Sequence, residues 1–172
     1  MTLQGKTVGI LVENQYEDIE LWYPLLRLRE AGATTVVVGP EKDAQYDGKR
    51  GYPMKAEASA TTITADALDG LVIPGGYAPD RMRTDPKMMA LVRDVYDAGK
   101  PVAMICHAGW VGASAGIVEG KRVTSVRSIR DDLVNAGAEW VDEEVVVDGN
   151  LITSRTPWDL PAFMRAILAA VV

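Results

Sequence analysis

The residues best placed to do chemistry in this sequence are those of Ile105-Cys106-His107-Ala108-Gly109, where a short apolar run gives way to small residues that suit a helix start. A strand that turns sharply into a helix exposes the residue at the corner and aims amide N–H groups at it. Cysteine at such a corner is a candidate nucleophile, because that field favours anionic sulfur over the free thiol, whose ordinary pKa is about 8.5. Two other segments hold groups that suit the same chemistry. Pro74-Gly75-Gly76 supplies backbone that can approach a ligand closely, and the amides of Gly76 and His107 are candidate donors to an oxyanion. Asn14-Gln15-Tyr16-Glu17-Asp18 supplies a carboxyl group, Glu17. A lone cysteine after an apolar strand is commonly inert core, and an acid at a helix start has a purely electrostatic use. The adjacent His107 and the Pro-Gly-Gly loop favour the reactive reading, although adjacency alone does not turn an imidazole toward a thiol.

These three segments need elements that bring them together, and the apolar pattern provides them. Residues 6–13 read as a buried strand, and residues 18–32, with Leu21, Leu25 and Leu28 on one face, as a helix. Strands follow at 33–39, 69–73 and 101–105, with a β-ribbon over 45–59 turning at Asp47-Gly48. Helices are predicted over 86–99, with proline at the start and glycine at the end, and over 108–116 and 129–136. A short strand near Val123, strands at 144–147 and 151–154 and a terminal helix complete the chain. Thr156 and Asp159 are expected to cap that helix, and Trp158 to pack at its start. Alternating strands and helices imply a mainly parallel sheet covered on both faces, as one domain over 1–172. In such sheets ligands bind beyond the carboxyl ends of strands, where all three segments fall. Gly75 and Arg155 join them as candidate pocket-lining residues.

Composition narrows the function classes. The 172 residues carry 18 Lys and Arg against 24 Asp and Glu, a net charge of −6, which opposes attraction to nucleic acid and anionic membranes. No apolar run approaches the roughly 20 residues of a membrane span, and residues 1–6 lack the pattern of a secretory leader, so a cytoplasmic location is expected. The one cysteine and one histidine give no ligand cluster for zinc, and no metal or cofactor is expected.

The motifs around Glu17, Gly76 and Cys106, together with Ile129-Arg130-Asp131-Asp132, Asn135-Ala136-Gly137-Ala138-Glu139-Trp140 and Glu144-Val145-Val146-Val147-Asp148-Gly149-Asn150, resemble nearly end to end the PfpI intracellular protease family. That family lies within the superfamily of Parkinsonism-associated deglycases and class I glutamine amidotransferase-like folds. The resemblance implies a flavodoxin-like three-layer α/β/α sandwich with a mainly parallel central sheet. It implies Cys106 as nucleophile, Glu17 hydrogen-bonded to the sulfur, His107 as the catalytic histidine, and Gly76 and His107 amides as the oxyanion hole. It further implies a homodimer or hexamer in which Asp80, where relatives carry glutamate, comes from a neighbouring subunit. Two departures fall in the pocket: Cys106-His107-Ala108-Gly109-Trp110 replaces the common Cys-His-Gly-Pro, and Val126 aligns with a pocket tyrosine. Val126 and Trp110 are thus candidate pocket-lining residues.

The expected activity is cysteine-dependent conversion of reactive carbonyls such as methylglyoxal, or of their protein adducts, without a cofactor. Two alternatives use the same sulfur: an oligomeric cysteine peptidase, and a noncatalytic redox sensor or stress-protective protein oxidised at Cys106.

Overall fold

The computed structural model describes residues 2–171; Met1 and Val172, the ends of the expected domain, lie outside the described residues. In chain order the elements are β1 (Thr7–Leu11), α1 (Asp18–Glu30), β2 (Thr34–Gly39), β3 (Gln45–Asp47), β4 (Pro53–Lys55), β5 (Ala58–Ser59), β6 (Gly70–Ile73), α2 (Ala78–Met82) and α3 (Pro86–Asp97). They continue with β7 (Val102–Ile105), α4 (Gly109–Ser114), β8 (Arg122–Val123), α5 (Arg130–Asn135), β9 (Glu139–Trp140), β10 (Val145–Asp148), β11 (Leu151–Ser154) and α6 (Leu160–Val171).

Seven strands form the central sheet in the order β10-β11-β7-β6-β1-β2-β5, all parallel except β10, which pairs antiparallel with β11. Strands β6 and β7 are buried at every position, as their unbroken apolar runs require in a sheet covered on both faces. Helices α1 and α6 pack together on one face, and α3 and α4 lie against β6 and β7 on the other. This is the flavodoxin-like α/β/α sandwich with a mainly parallel sheet. The chain order reverses at β1, which lies between β2 and β6, so a crevice opens beyond the carboxyl ends of β1, β6 and β7. Among the described residues, no helix is long and apolar enough to cross a membrane.

Two local details matter for the crevice. Helix α1 contains Pro24, which has no N–H to return to the carbonyl of Glu20, so the first turn lacks one rung of its ladder. The ribbon β3–β4 folds back toward that turn: Asp18, buried, accepts from the amides of Arg50 at 2.9 Å and Tyr52 at 3.1 Å.

The end of the chain departs from expectation. Thr156 makes no capping bond, and residues 157–159 form a 3-10 turn before α6. The Asp159 carboxylate is instead taken by Arg155, at 2.9 and 3.1 Å. Trp158 does not pack: it is 92% exposed, because the 3-10 turn points it off the surface rather than along the apolar stripe of α6. Helix α2 and strands β5 and β9, each five residues or fewer, are too short to show a period in the sequence.

Candidate active site

Cys106 stands at the corner where β7 ends, with φ +61°, in the left-handed region that a residue with a Cβ seldom adopts. The strained corner lifts the thiol out of the sheet, and a short 3-10 turn leads into α4. The amides of His107 and Gly76 lie near enough to the sulfur to favour its charged form. Gly76 has φ +80°, and a Cβ there would also lie 2.5 Å from the carbonyl oxygen of Gln15 and from the amide nitrogen of Glu17. Gly75 is equally constrained by space: a Cβ would lie 2.6 Å from both Cys106 Cβ and Glu20 Oε2. The two glycines therefore let three strand ends converge on one sulfur.

His107 does turn toward its neighbour. Its Nδ1 lies 3.4 Å from Cys106 Sγ, and its Nε2 lies 3.3 Å from the hydroxyl of Ser128, in the segment before α5. Burial first, and then the charge of Lys49, lowers the imidazole below its ordinary pKa, so the ring is neutral and able to accept a proton. Trp110 stacks obliquely on it with centroids 5.1 Å apart, and the Trp110 indole N–H is anchored to Asp132 at 2.7 Å.

The carboxyl facing the sulfur is Glu20, whereas the sequence pointed to Glu17. Glu20 is fully buried, and its Oε2 accepts the amide of Gly75 at 2.7 Å. Glu17 lies at the start of α1 and its Oε2 is paired with the Lys49 ammonium at 2.9 Å. Its backbone N–H reaches the carbonyl of Gly75, so Glu17 braces the loop without offering its carboxylate to the thiol. Burial pushes the Glu20 carboxyl up to about 8, against the pull of the Gly75 amide, so Glu20 carries a proton at neutral pH. Burial, then the charge Glu20 would bear if ionised, pushes the Cys106 thiol up to about 12, opposite to the depression expected from a helix start alone. A protonated Glu20 removes that repulsion and puts a hydrogen-bond donor beside the sulfur. The buried pair thus holds at most one negative charge near neutrality.

The remaining expected residues divide. Trp110 lines an open cavity of about 610 Å³ with Gln15, Tyr77, Asp80 and Arg81. Asp80 is exposed on α2 at this rim. Val126 touches the nucleophile through its backbone, donating to the Cys106 carbonyl at 3.4 Å. Arg155 follows Ser154, which is in register with Ile105, but its guanidinium turns away to Asp142 at 2.7 Å and to Asp159. It is a brace between the last strands and α6 rather than a pocket wall.

Residues 6–170 match the DJ-1/PfpI family. The chain belongs to the DJ-1/PfpI family. Within it, the chain is 46% identical to "Deglycase PfpI" of Pyrococcus furiosus over 155 residues, 90% of this chain and 93% of that protein. It is 38% identical to "Protein/nucleic acid deglycase 2" of Escherichia coli, covering 95% of this chain and 96% of that one. Among solved DJ-1/PfpI structures, Drosophila melanogaster DJ-1beta superposes with a TM-score of 0.90 at 29% identity, covering 99% of this chain and 91% of that chain. A two-domain protein of Anabaena variabilis, with DJ-1/ThiJ/PfpI-like and ferritin-like domains, superposes with a TM-score of 0.94 at 43% identity; the match covers 95% of this chain and 47% of that one. Of the two expected pocket residues that depart from the resemblance, Trp110 lines the cavity and Val126 does not.

Proposed function

We propose that the chain is a cysteine-dependent enzyme that hydrolyses reactive carbonyls of the methylglyoxal type, or their adducts on amines, to hydroxy acids. The observation that carries this reading is the Cys106 corner, with Sγ 3.4 Å from a neutral imidazole, two amides nearby and a buried, protonated carboxyl behind it. The deglycase names of the relatives support it. In this reading Cys106 gives its proton to His107 Nδ1 as sulfur bonds to the aldehyde carbon, and the carbonyl π electrons move to oxygen. The amides of Gly76 and His107 face the resulting oxyanion, which takes the proton back from His107. Proton transfer from the former aldehyde carbon to the adjacent carbonyl carbon converts the hemithioacetal into a thioester. Water then cleaves the thioester, releasing the hydroxy acid and restoring the thiol. The net reaction consumes one water and no oxidant, so no cofactor is needed. Ser128, on the far ring nitrogen, can accept from Nε2–H, which is the tautomer that leaves Nδ1 free to accept.

Cys106→Ser is expected to reduce lactate formation from methylglyoxal by on the order of 10³-fold, since an alcohol is a far weaker nucleophile at neutral pH. Lactate should be followed in an amine-free and thiol-free buffer, so that adduct equilibria do not imitate turnover. Equal rates in both proteins would sink the reading and direct attention to peptide substrates.

The reading includes a homo-oligomer, a dimer or hexamer, in which Asp80 of one subunit completes the site of another. Its support is the exposure of Asp80 at the cavity rim and an apolar surface of Ile19, Leu26 and Tyr52 around Trp22, each of the first three at least half exposed. Light scattering with parallel assays should show activity disappearing with dissociation; full activity in a proven monomer would remove Asp80 from the site.

A further inference from the structure

One charged group at the crevice has no part in the reaction above. Lys49 stands at the tip of the ribbon β3–β4, and that tip is fixed. Its amide donates to the Tyr16 carbonyl at 2.9 Å, the Gly48 amide donates to the Tyr52 carbonyl, and Asp18 holds the amides on the far side of the turn. Gly48 packs so closely on Asp18 that a Cβ there would displace the carboxylate that holds the turn. The ammonium is therefore delivered to a set place. Nζ donates to Glu17 Oε2 at 2.9 Å and lies 5.1 Å from the ring centroid of Tyr77, a wall of the cavity that also holds Trp110. One of three ammonium protons is used by Glu17 and one side of the charge is covered by the Tyr77 ring, which leaves donor capacity beside the cavity. The charge is also near enough to act on both Cys106 and His107.

We propose that Lys49 is a specificity-determining residue that binds a carboxylate on the incoming carbonyl compound, so that anionic 2-oxoaldehydes are preferred over neutral ones. Glu17 is the internal competitor: it orients the ammonium while the site is empty and partly neutralises it. In a protein of net charge −6, a local cation is what an anionic substrate needs in order to approach this sulfur. The substrate class rests on the reading of Cys106 as a carbonyl nucleophile, whereas the anion subsite itself does not.

The first test needs no turnover. Cys106 is the only cysteine, so alkylation, in which its thiolate displaces iodide and forms a thioether, reports one site. Iodoacetate and iodoacetamide differ chiefly in charge. The ratio of their rate constants is expected to fall about tenfold in Lys49→Met, the effect of one nearby charge at partial screening, and to rise several-fold in Glu17→Gln. The iodoacetamide rate in each variant corrects for changes in the thiol itself. A ratio unmoved in both variants overturns the proposal, even if both reagents slow together, because Lys49 would then be only a brace.

The second test compares 4,5-dioxopentanoate with its methyl ester. Wild type should favour the carboxylate, and Lys49→Met should erase the preference. Equal turnover of acid and ester by wild type overturns the substrate class. Absence of turnover with both, alongside the expected alkylation ratios, supports the anion subsite and places the failure in the carbonyl reading.

Discussion

Glutamine in place of Glu20 is expected to fold, and to lose the decline in stability with rising pH that the wild-type carboxyl imposes. The folded protein holds the Glu20 proton until about pH 8, whereas the unfolded chain releases it near 4.5. Between those values the folded state binds one more proton than the unfolded state, so raising the pH favours unfolding. The slope approaches ~1.4 kcal/mol per pH unit for a single fully shifted group. Urea unfolding across this window should give a shallower slope for Glu20→Gln than for wild type. Glutamine can still accept the Gly75 amide through Oε1 and donate toward sulfur through Nε2. Activity should therefore persist where Glu20 is only a donor, and should no longer fall above pH 8, where the wild-type carboxylate would begin to repel the thiolate. Parallel slopes in the two proteins would mean that Glu20 is ionised in the native state, and loss of all activity in the glutamine variant would make Glu20 a proton carrier.

Alanine at Gly76 is expected to remove most of the activity and some of the stability. Its Cβ would lie 2.5 Å from two backbone atoms, at Gln15 and Glu17, neither of which can rotate away as a side chain could. The Gly76 amide must shift, and losing one oxyanion donor typically costs about 10² to 10³ in kcat. Strain at a positive φ adds roughly 1 to 3 kcal/mol of destabilisation. Gly99→Ala separates the two effects: Gly99 also has positive φ, +73°, but nothing lies within 4 Å of a Cβ there. That variant should lose stability alone, as read by thermal unfolding beside methylglyoxal turnover. Equal kcat in Gly76→Ala and wild type would show that the amide does not face the reacting oxygen.

How far the site was legible follows from which residues are set by local pattern. The apolar runs at 69–73 and 101–105 locate β6 and β7, and the abrupt glycines and Cys106 after them mark the crevice without any contact information. Glu20 was legible in principle. It lies four residues before Pro24 and eight before Leu28, so it falls on the buried stripe of α1, where a carboxylate needs a special reason. The eye is drawn instead to Glu17, which sits in the loop where a catalytic acid is commonly found. Ser128 and Lys49 left no such trace. Each arrives from a distant turn through contacts that no period encodes, Ser128 by the path after β8 and Lys49 by the bonds of Asp18 to the ribbon. Arg155 misled for the opposite reason: strand register places its backbone beside the site, and two aspartates then draw its guanidinium away.

Pro24 has a consequence for how the crevice opens. Without the N–H of residue 24, the first turn of α1 has one tie fewer to the rest of the helix, while Asp18 holds it to the amides of the ribbon. We expect the turn that carries Glu20 and the tip that carries Lys49, coupled through Asp18, to open together as one unit once the bonds of Glu17 and Glu20 to Gly75 break. Amide protons of Arg50 and Tyr52 would exchange with solvent when that unit lifts, at a free energy below that of global unfolding. The carboxyl behind the sulfur and the cation in front of it would be exposed in the same event.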